Sequence, residues 1–397
     1  MIFTGDVRQI MPIMPPGVNP LGDEQAEASF FFSEYTQFRR CNQHVLEQNM
    51  RLTRQQNNFL QWQAAVGEDR IRHVVFPNDP RHRLTSYIKI LPRRARYDEM
   101  EFIREVFPPD IFDSVEPMEL TKRVIISGTN QSVDHVNCIV SNMMPANRAS
   151  RTYLSTNTAG AHDIYNPENA VFSVANLQTI NHNSLPQNSI TLKVGMPVMC
   201  IKNIDVSNGV ANGAMMIVVR LDPDIVWCRV NSRHGELEVP IMPVAFEYDN
   251  KNGFKFTRIQ LPLRVAFAVT IHRSQGGTYD RVGVHAIHPV WYHGGLFVAV
   301  TRCTSSEGLT ILVRKPTPDF PHPTVRNVVH PRVSWAEDRI GYVCPCGCMG
   351  PPNDPNPFDQ PPSPPPRQPQ PGDHFVQDEE MDDPPDFADY TPRRGNQ

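Results

Sequence analysis

Ala268-Val269-Thr270-Ile271-His272-Arg273-Ser274-Gln275-Gly276-Gly277-Thr278 is an apolar strand that breaks into a polar, glycine-bearing turn. A loop of this kind at the carboxyl end of a strand presents backbone amides, hydroxyls and a carboxamide at one point. That suits contacts to phosphates or to a nucleic-acid backbone. The plain alternative is an ordinary strand-to-helix loop, and the segment alone does not separate the two.

Working outward, Leu296-Phe297-Val298-Ala299-Val300-Thr301-Arg302 is a second apolar stretch that ends in an arginine. Arg302 either points a bidentate fork at a phosphate or sits solvated at a helix end, and Arg51 presents the same choice. At the start of the chain, Gly5-Asp6-Val7-Arg8-Gln9 places Asp6 and Gln9 one turn apart, and a glutamine there orients a water or senses a terminal phosphate. Nowhere in the sequence is there a G-x-x-x-x-G-K-[ST] phosphate loop. Met1-Ile2-Phe3 leads straight into Gly5-Asp6, a poor way to begin a domain, so the chain reads as a truncated gene model or a fragment.

Between these ends, Val124-Ile125-Ile126-Ser127, then Gly128-Thr129-Asn130, then a helix over residues 131–142 make a strand–loop–helix unit of the α/β kind. The apolar positions expected on that helix are Val133, Val136, Cys138 and Ile139. A further helix is expected from Asp98 to Val106, stopped by Pro108-Pro109. From Leu185 the period changes to alternation, with strands at 190–194, 197–201, 214–221, 225–230 and 236–240. Turn dipeptides Asn208-Gly209 and Asn212-Gly213 lie between them, and together they predict a small antiparallel barrel over about residues 186–258. The fold class is therefore α/β, a parallel sheet with flanking helices and an inserted barrel.

The 397 residues allow two or three domains. Fourteen of the 39 prolines fall in residues 350–397, beside ten acidic and three basic residues, so this segment carries −7 and is expected to be disordered. The whole chain is −4, which leaves +3 for residues 1–349, a mildly basic body that permits a nucleic-acid groove. Arg81, Arg83, Lys89, Arg93, Arg94 and Arg96 read first as a solvated basic face, with an import or DNA patch as the alternative. The eight cysteines have no disulfide spacing, which points to a reducing compartment. No eighteen-residue apolar run and no signal peptide argue for a membrane. Cys344-Pro345-Cys346-Gly347-Cys348 lacks the fourth ligand a zinc site needs, so no metal site is expected. His285 and His288 read as core or surface histidines.

The ordered set Gly-Asp-x-Arg-Gln, Leu-x-x-Asn-Met-Arg, Leu-x-Val-Gly-x-Pro-Val-Met, Thr-Ile-x-x-Ser-Gln-Gly-x-Thr and Val-Ala-x-x-Arg resembles the petite-integration-frequency family of superfamily-one DNA helicases. These move 5′ to 3′, and the chain is most similar to the Helitron-transposon branch. The resemblance covers about residues 1–315 and implies two RecA-like units around ATP and Mg²⁺. It makes residues 1–60 a remnant of the first unit, 61–185 and 259–315 the second, 186–258 a 2B insertion of the Src-homology-three kind, and 316–397 a disordered tail. By the same resemblance Gln9, Arg51 and Arg302 are catalytic. Gly5, Asp6 and Gly276 are nucleotide-binding, and Thr129, Asn130, His272, Ser274, Gln275 and Thr278 contact single-stranded DNA. Val7 departs from the family's usual aromatic, and Gly277 from a longer polar residue. The Walker lysine and the magnesium-binding acidic pair belong to motifs that this sequence lacks. The implied partners are single-stranded DNA and a missing N-terminal RecA-like domain, with no membrane. The implied setting is the nucleus, in DNA repair, recombination or telomere maintenance. A non-catalytic nucleic-acid-binding remnant and a tail-mediated interaction protein are the alternatives.

Overall fold

A computed structural model describes residues 6, 8–10, 52, 56–71, 73, 86–159, 174–180, 182, 185–233, 235–249, 255–288, 292–317 and 322–329, all within Met1–Gly350. The acidic tail from 350 onward and the Cys344–Cys348 run lie outside these residues.

The first part of the chain supplies helix α1 (Asn57–Gly67), strands β1 (Ser86–Lys89), β2 (Ala95–Arg96) and β3 (Arg123–Ser127), and helices α2 (Glu99–Val106) and α3 (Asn130–Met143). Asp98 is not the first residue of α2 but its cap, accepting from the Glu101 amide at 2.8 Å. Thr129 caps α3 in the same way, its hydroxyl accepting from the Ser132 amide at 3.2 Å. The buried stripe of α3 is Val133, Val136, Asn137 and Val140. Cys138, expected on that stripe, is exposed. The stripe is centred one residue earlier because it has to include Asn137, whose role is given below.

Strands β4 (Ser150–Leu154), β5 (Thr156–Ala159), β6 (Ser189–Lys193), β7 (Pro197–Cys200), β8 (Met215–Leu221), β9 (Val226–Ser232), β10 (Gly235–Ile241), β11 (Val244–Asp249), β12 (Lys255–Gln260) and β13 (Leu263–Val265) follow. All their ladders are antiparallel. The sheets run β10-β9-β8-β7-β13, β11-β12-β5 and β4-β6. The antiparallel region is thus wider than residues 186–258. Strands β4 and β5 join it from before, and β13 closes onto β7 from after, with Leu263 opposite Cys200. Their short, mixed sequences gave no alternation to read.

The chain then returns with β14 (Ala268–Thr270), β15 (Arg281–His285), helix α4 (Gly295–Val300), β16 (Leu309–Leu312) and β17 (Thr324–Asn327). Strands β14, β15 and β16 join β2 and β3 in a wholly parallel sheet in the order β14-β3-β15-β16-β2. Strand β3 shows the layering. Ile125 packs in one apolar cluster with Phe102, Val136 and Phe267. Its neighbours Val124 and Ile126 pack in another with Phe59, Trp62, Leu296 and Val298. Helices α2 and α3 therefore cover one face and α1 and α4 the other, which buries both faces of the parallel strands. The antiparallel module continues the first cluster through Val198, Met216, Val218 and Cys228.

Two sequence expectations fail here. Residues 316–397 were expected to be tail, yet β17 pairs with β1, and the Asn327 side chain donates to the Val66 carbonyl at 2.9 Å. A four-residue strand between prolines is too short to register as a pattern. Arg94 is not part of a solvated face either. It is buried, with its guanidinium 5.0 Å from the Phe59 ring centroid and 4.9 Å from that of Trp62.

Within the antiparallel module Arg258 is 0% exposed. Its Nε donates to Asn157 Oδ1 at 2.8 Å, Nη1 to the carbonyls of Ile180 (3.1 Å) and Pro186 (3.0 Å), and Nη2 to the Leu177 carbonyl at 2.7 Å. Burial lowers its pKa. Four hydrogen bonds ending on neutral oxygens tie Leu177, Ile180 and Pro186 to β12 and β5. Removing the guanidinium leaves those oxygens buried and unmatched. Arg258→Ala is therefore expected to destabilise the protein by at least about 3 kcal/mol in urea unfolding. A change below about 1 kcal/mol would show that the tie is dispensable.

Candidate nucleic-acid interface

Strands β3 and β14 are parallel neighbours, with Ile125 opposite Ala268 and Ser127 opposite Thr270. Their carboxyl ends therefore put the Gly128–Asn130 loop and the turn after Thr270 at the same edge of the sheet. Asn137 holds the second strand in place. It is 8% exposed; its Oδ1 accepts from the Ala268 amide at 2.8 Å, and its Nδ2 donates to the carbonyls of Ala268 (3.0 Å) and Val265 (3.2 Å). An asparagine on the apolar stripe of a helix gave the only sequence signal for this.

The turn itself is a single helical turn, Ile271–Ser274, capped by Thr270. Ser274, expected to face DNA, is 0% exposed and donates to the Ile271 carbonyl at 2.7 Å. Its hydroxyl completes the turn and faces inward. Gln275, Gly276 and Thr278 are exposed. Gly276 has φ +88°, a left-handed conformation that glycine adopts without strain. At Gly277 a Cβ would lie 2.7 Å from the Tyr279 hydroxyl. A longer side chain does not fit beside that buried ring, which accounts for the departure at this position.

Gln275 Nε2 donates to Gln9 Oε1 at 2.8 Å, so the first motif of the chain meets the turn directly. Arg8, absent from the sequence expectations, anchors that first segment. It donates to Asp6 from Nε at 2.9 Å and to Glu68 from Nη1 at 3.3 Å, and its guanidinium lies 5.3 Å from the Phe297 ring centroid. Asp6, expected at a nucleotide, has its carboxylate on Arg8. Gly294, with φ +70°, lets the segment dock against the start of α4, since a Cβ there would lie 2.7 Å from the Gln9 carbonyl carbon. Gly5 and Arg51 lie outside the described residues.

Arg302 is 3% exposed. Its Nε donates to the Val298 carbonyl at 3.0 Å, Nη1 to the Gly277 carbonyl at 3.2 Å, and Nη2 to the Thr301 hydroxyl at 2.9 Å. Its own carbonyl accepts from the Tyr279 amide at 2.9 Å. In this arrangement the fork braces the 277–279 stretch and is not open to a phosphate. Thr129 is exposed beside Asn130 at the end of β3. His272 is half-buried, with its ring 4.8 Å from that of Tyr292. The buried His272 Nε2 and Tyr292 hydroxyl have no hydrogen-bond partner among the described residues. Burial lowers the His272 pKa and pushes that of Tyr292 up to about 12.

Residues 176–221 match the family model described as DNA helicase Pif1, 2B domain. Over part of its length the chain is similar to Pif1 helicases. It is 37% identical over 137 residues to the ATP-dependent DNA helicase PIF1 of Danio rerio, an alignment covering 34% of this chain and 21% of that protein. The Homo sapiens ATP-dependent DNA helicase PIF1 is 36% identical over 124 residues, 31% of this chain and 19% of the relative. The matched stretch thus spans about a fifth of each Pif1 relative's length. The crystal structure of Pif1 helicase from Candida albicans superposes with a TM-score of 0.53 at 21% identity, over 83% of this chain and 65% of that one. The parallel-sheet unit therefore has the RecA-like α/β fold of the Pif1 helicases. The 2B match begins before the expected Pro186 and ends with β8.

At the carboxyl ends of β2 and β15, Glu99 lies between two histidines. Its Oε1 is 3.1 Å from His285 Nε2 and its Oε2 is 3.2 Å from His135 Nε2. His285 is 5% exposed, a core position. Among the described residues no group of His, Cys, Asp and Glu is arranged to hold a metal ion. The His285 hydrogen bond is the main reason that the Glu99 pKa lies below its ordinary value of 4.5, with burial opposing it. A lowered carboxyl contributes its stability above the unfolded value and loses it as pH falls through the folded one. Between about pH 5 and about pH 3 the wild type is expected to lose melting temperature more steeply than Glu99→Gln. Parallel slopes for the two proteins would contradict a stabilising Glu99–His285 hydrogen bond.

Proposed function

We propose that this chain is the part of a Pif1-type, 5′ to 3′ DNA helicase that carries the second RecA-like unit and the 2B module, acting in the nucleus. Its own act is to bind single-stranded DNA at the carboxyl edge of β3 and β14. The observation that carries this reading is the convergence of Thr129, Asn130, His272, Gln275 and Thr278 on that one edge, with Gln9 bonded to Gln275. Exposed hydroxyls, carboxamides and backbone amides from adjacent strand ends are the groups that track a sugar–phosphate backbone.

ATP and Mg²⁺ do not fit the described residues. A phosphate cradle needs a lysine and free amides at a helix start. The helix after β3 begins with Thr129 and Asn130, and its cap is already taken by the Thr129 hydroxyl. No acidic cluster among the described residues offers a metal seat, and the Arg302 fork is spent on backbone and hydroxyl oxygens. The nucleotide-handling roles of Gln9, Arg51, Arg302, Gly5, Asp6 and Gly276 therefore belong to a complete two-lobed helicase. Completion by a separate first RecA-like unit, or by a longer chain, is part of the same reading.

Binding of a fluorescent thymidine oligonucleotide, followed by anisotropy, is expected at low salt, with log K falling linearly in log salt. Gln275→Ala combined with Thr129→Ala is expected to weaken it about tenfold, equivalent to about 1.4 kcal/mol. Phosphate release from ATP is expected to stay at background with DNA present. Absence of binding at low salt, or turnover that Arg302→Ala abolishes, would overturn the reading.

A further inference from the structure

A cavity of about 420 Å³ lies where the two parts of the fold meet. Helix α3 contributes Asn130, Asp134 and Asn137, strand β6 contributes Lys193, and the stretch through β13 and β14 contributes Arg264, with Arg273 following. We propose that this cavity is an anion site that takes a phosphate monoester of nucleotide size, bridging the parallel-sheet unit and the antiparallel module.

Three cations line it against one carboxylate, an excess of two positive charges. The carboxylate is already engaged, since Asp134 Oδ1 accepts from Gln187 Nε2 at 3.1 Å. Lys193 Nζ donates to the Ser141 carbonyl at 2.8 Å, and Arg264 Nη2 donates to the Leu185 carbonyl at 2.7 Å. Both are thereby fixed in the wall. Arg264 Nε is buried with no hydrogen-bond partner among the described residues. Burial lowers the pKa of both guanidiniums, that of Arg273 to about 10, where the Arg264 charge adds to the lowering; the Asp134 carboxylate opposes it at both. Two guanidiniums in a partly dry space with a single carboxylate between them, one with an unmet donor, are stabilised by a further anion that joins them. A phosphate supplies the charge and the acceptors, and guanidinium is the side chain best matched to it. Val133, Ile190, Met196 and Met199 give the same cavity an apolar wall. That combination suits a nucleotide, with its sugar or base on the wall and its phosphate on the arginines. The cavity shares Asn130 with the strand-end surface, but Gln275 and Thr278 do not line it.

The test uses the full chain and thermal melting at constant ionic strength. The probes are inorganic phosphate, thymidine monophosphate, uncharged thymidine and a thymidine oligonucleotide. Thymidine monophosphate is expected to raise the melting temperature in a saturable way, and thymidine is not. Arg273→Met is expected to weaken the response at least tenfold. Asp134→Asn removes the one negative charge and is expected to strengthen it a few-fold. A response to phosphate alone, lost in Arg273→Met, supports the anion seat and drops the apolar wall. A response to the oligonucleotide but not the monophosphate, lost in Arg273→Met, assigns the same seat to a strand phosphate. No response to any phosphate probe, or responses unchanged by both substitutions, overturns the proposal. If Arg273→Met does not fold, Asp134→Asn decides, and unchanged or weaker binding in it overturns the proposal. Loss of oligonucleotide binding in the Gln275→Ala, Thr129→Ala protein with the monophosphate response intact separates this cavity from the strand-end surface.

Discussion

Three residue pairs, Ile125 with Ala268, Ile126 with Val269 and Ser127 with Thr270, join strands that lie on either side of the entire antiparallel module. Closing so long a loop has an entropic cost that short strands do not repay alone. The repayment comes from burial on both faces and from the three Asn137 hydrogen bonds that fix the chain as it leaves β13 and enters β14. The remaining placement depends on this pairing. It sets the Thr129–Asn130 loop beside the turn after Thr270, closes β13 onto β7, and walls the cavity between α3 and the module.

Buried arginine is the second recurring device. Arg258, Arg302 and Arg94 all sit inside, and the first two donate to carbonyls, a hydroxyl and a carboxamide oxygen. Arg94 lies against two aromatic rings. A guanidinium keeps its charge when half dehydrated because its five donors spread over many neutral acceptors. Each of these arginines ties distant stretches together: Arg258 the 177–186 segment to β12, Arg302 the end of α4 to the Gly277 turn, and Arg94 the β2 strand to α1.

The sequence showed the fold class through periodicity. The apolar runs at 124–126 and 268–270 are parallel-sheet strands, the 3.6-residue stripe after Asn130 is α3, and the alternation after Leu185 is antiparallel strand. Residue type showed which loops are polar, and the pairing of β3 and β14 brings those loops together. Side-chain direction was hidden. Ser274 and Gln275 are neighbours of similar polarity, yet the helical turn points one inward to the Ile271 carbonyl and leaves the other on Gln9. Arg302 read as a phosphate-facing or solvated arginine and Arg94 as part of a solvated face, because a lone arginine in a sequence carries no sign of the carbonyls or rings that will surround it. The β17 strand was hidden by its length, and Asn137 by its position among apolar neighbours.

The dependence of the site on strand pairing is most directly tested by amide hydrogen exchange. The account predicts that residues 124–127 and 268–270 exchange as one protected unit, and that Asn137→Ala speeds both while leaving the β9–β10 hairpin unchanged. Exchange of 268–270 that is fast and independent of β3, or unaltered by Asn137→Ala, would contradict it.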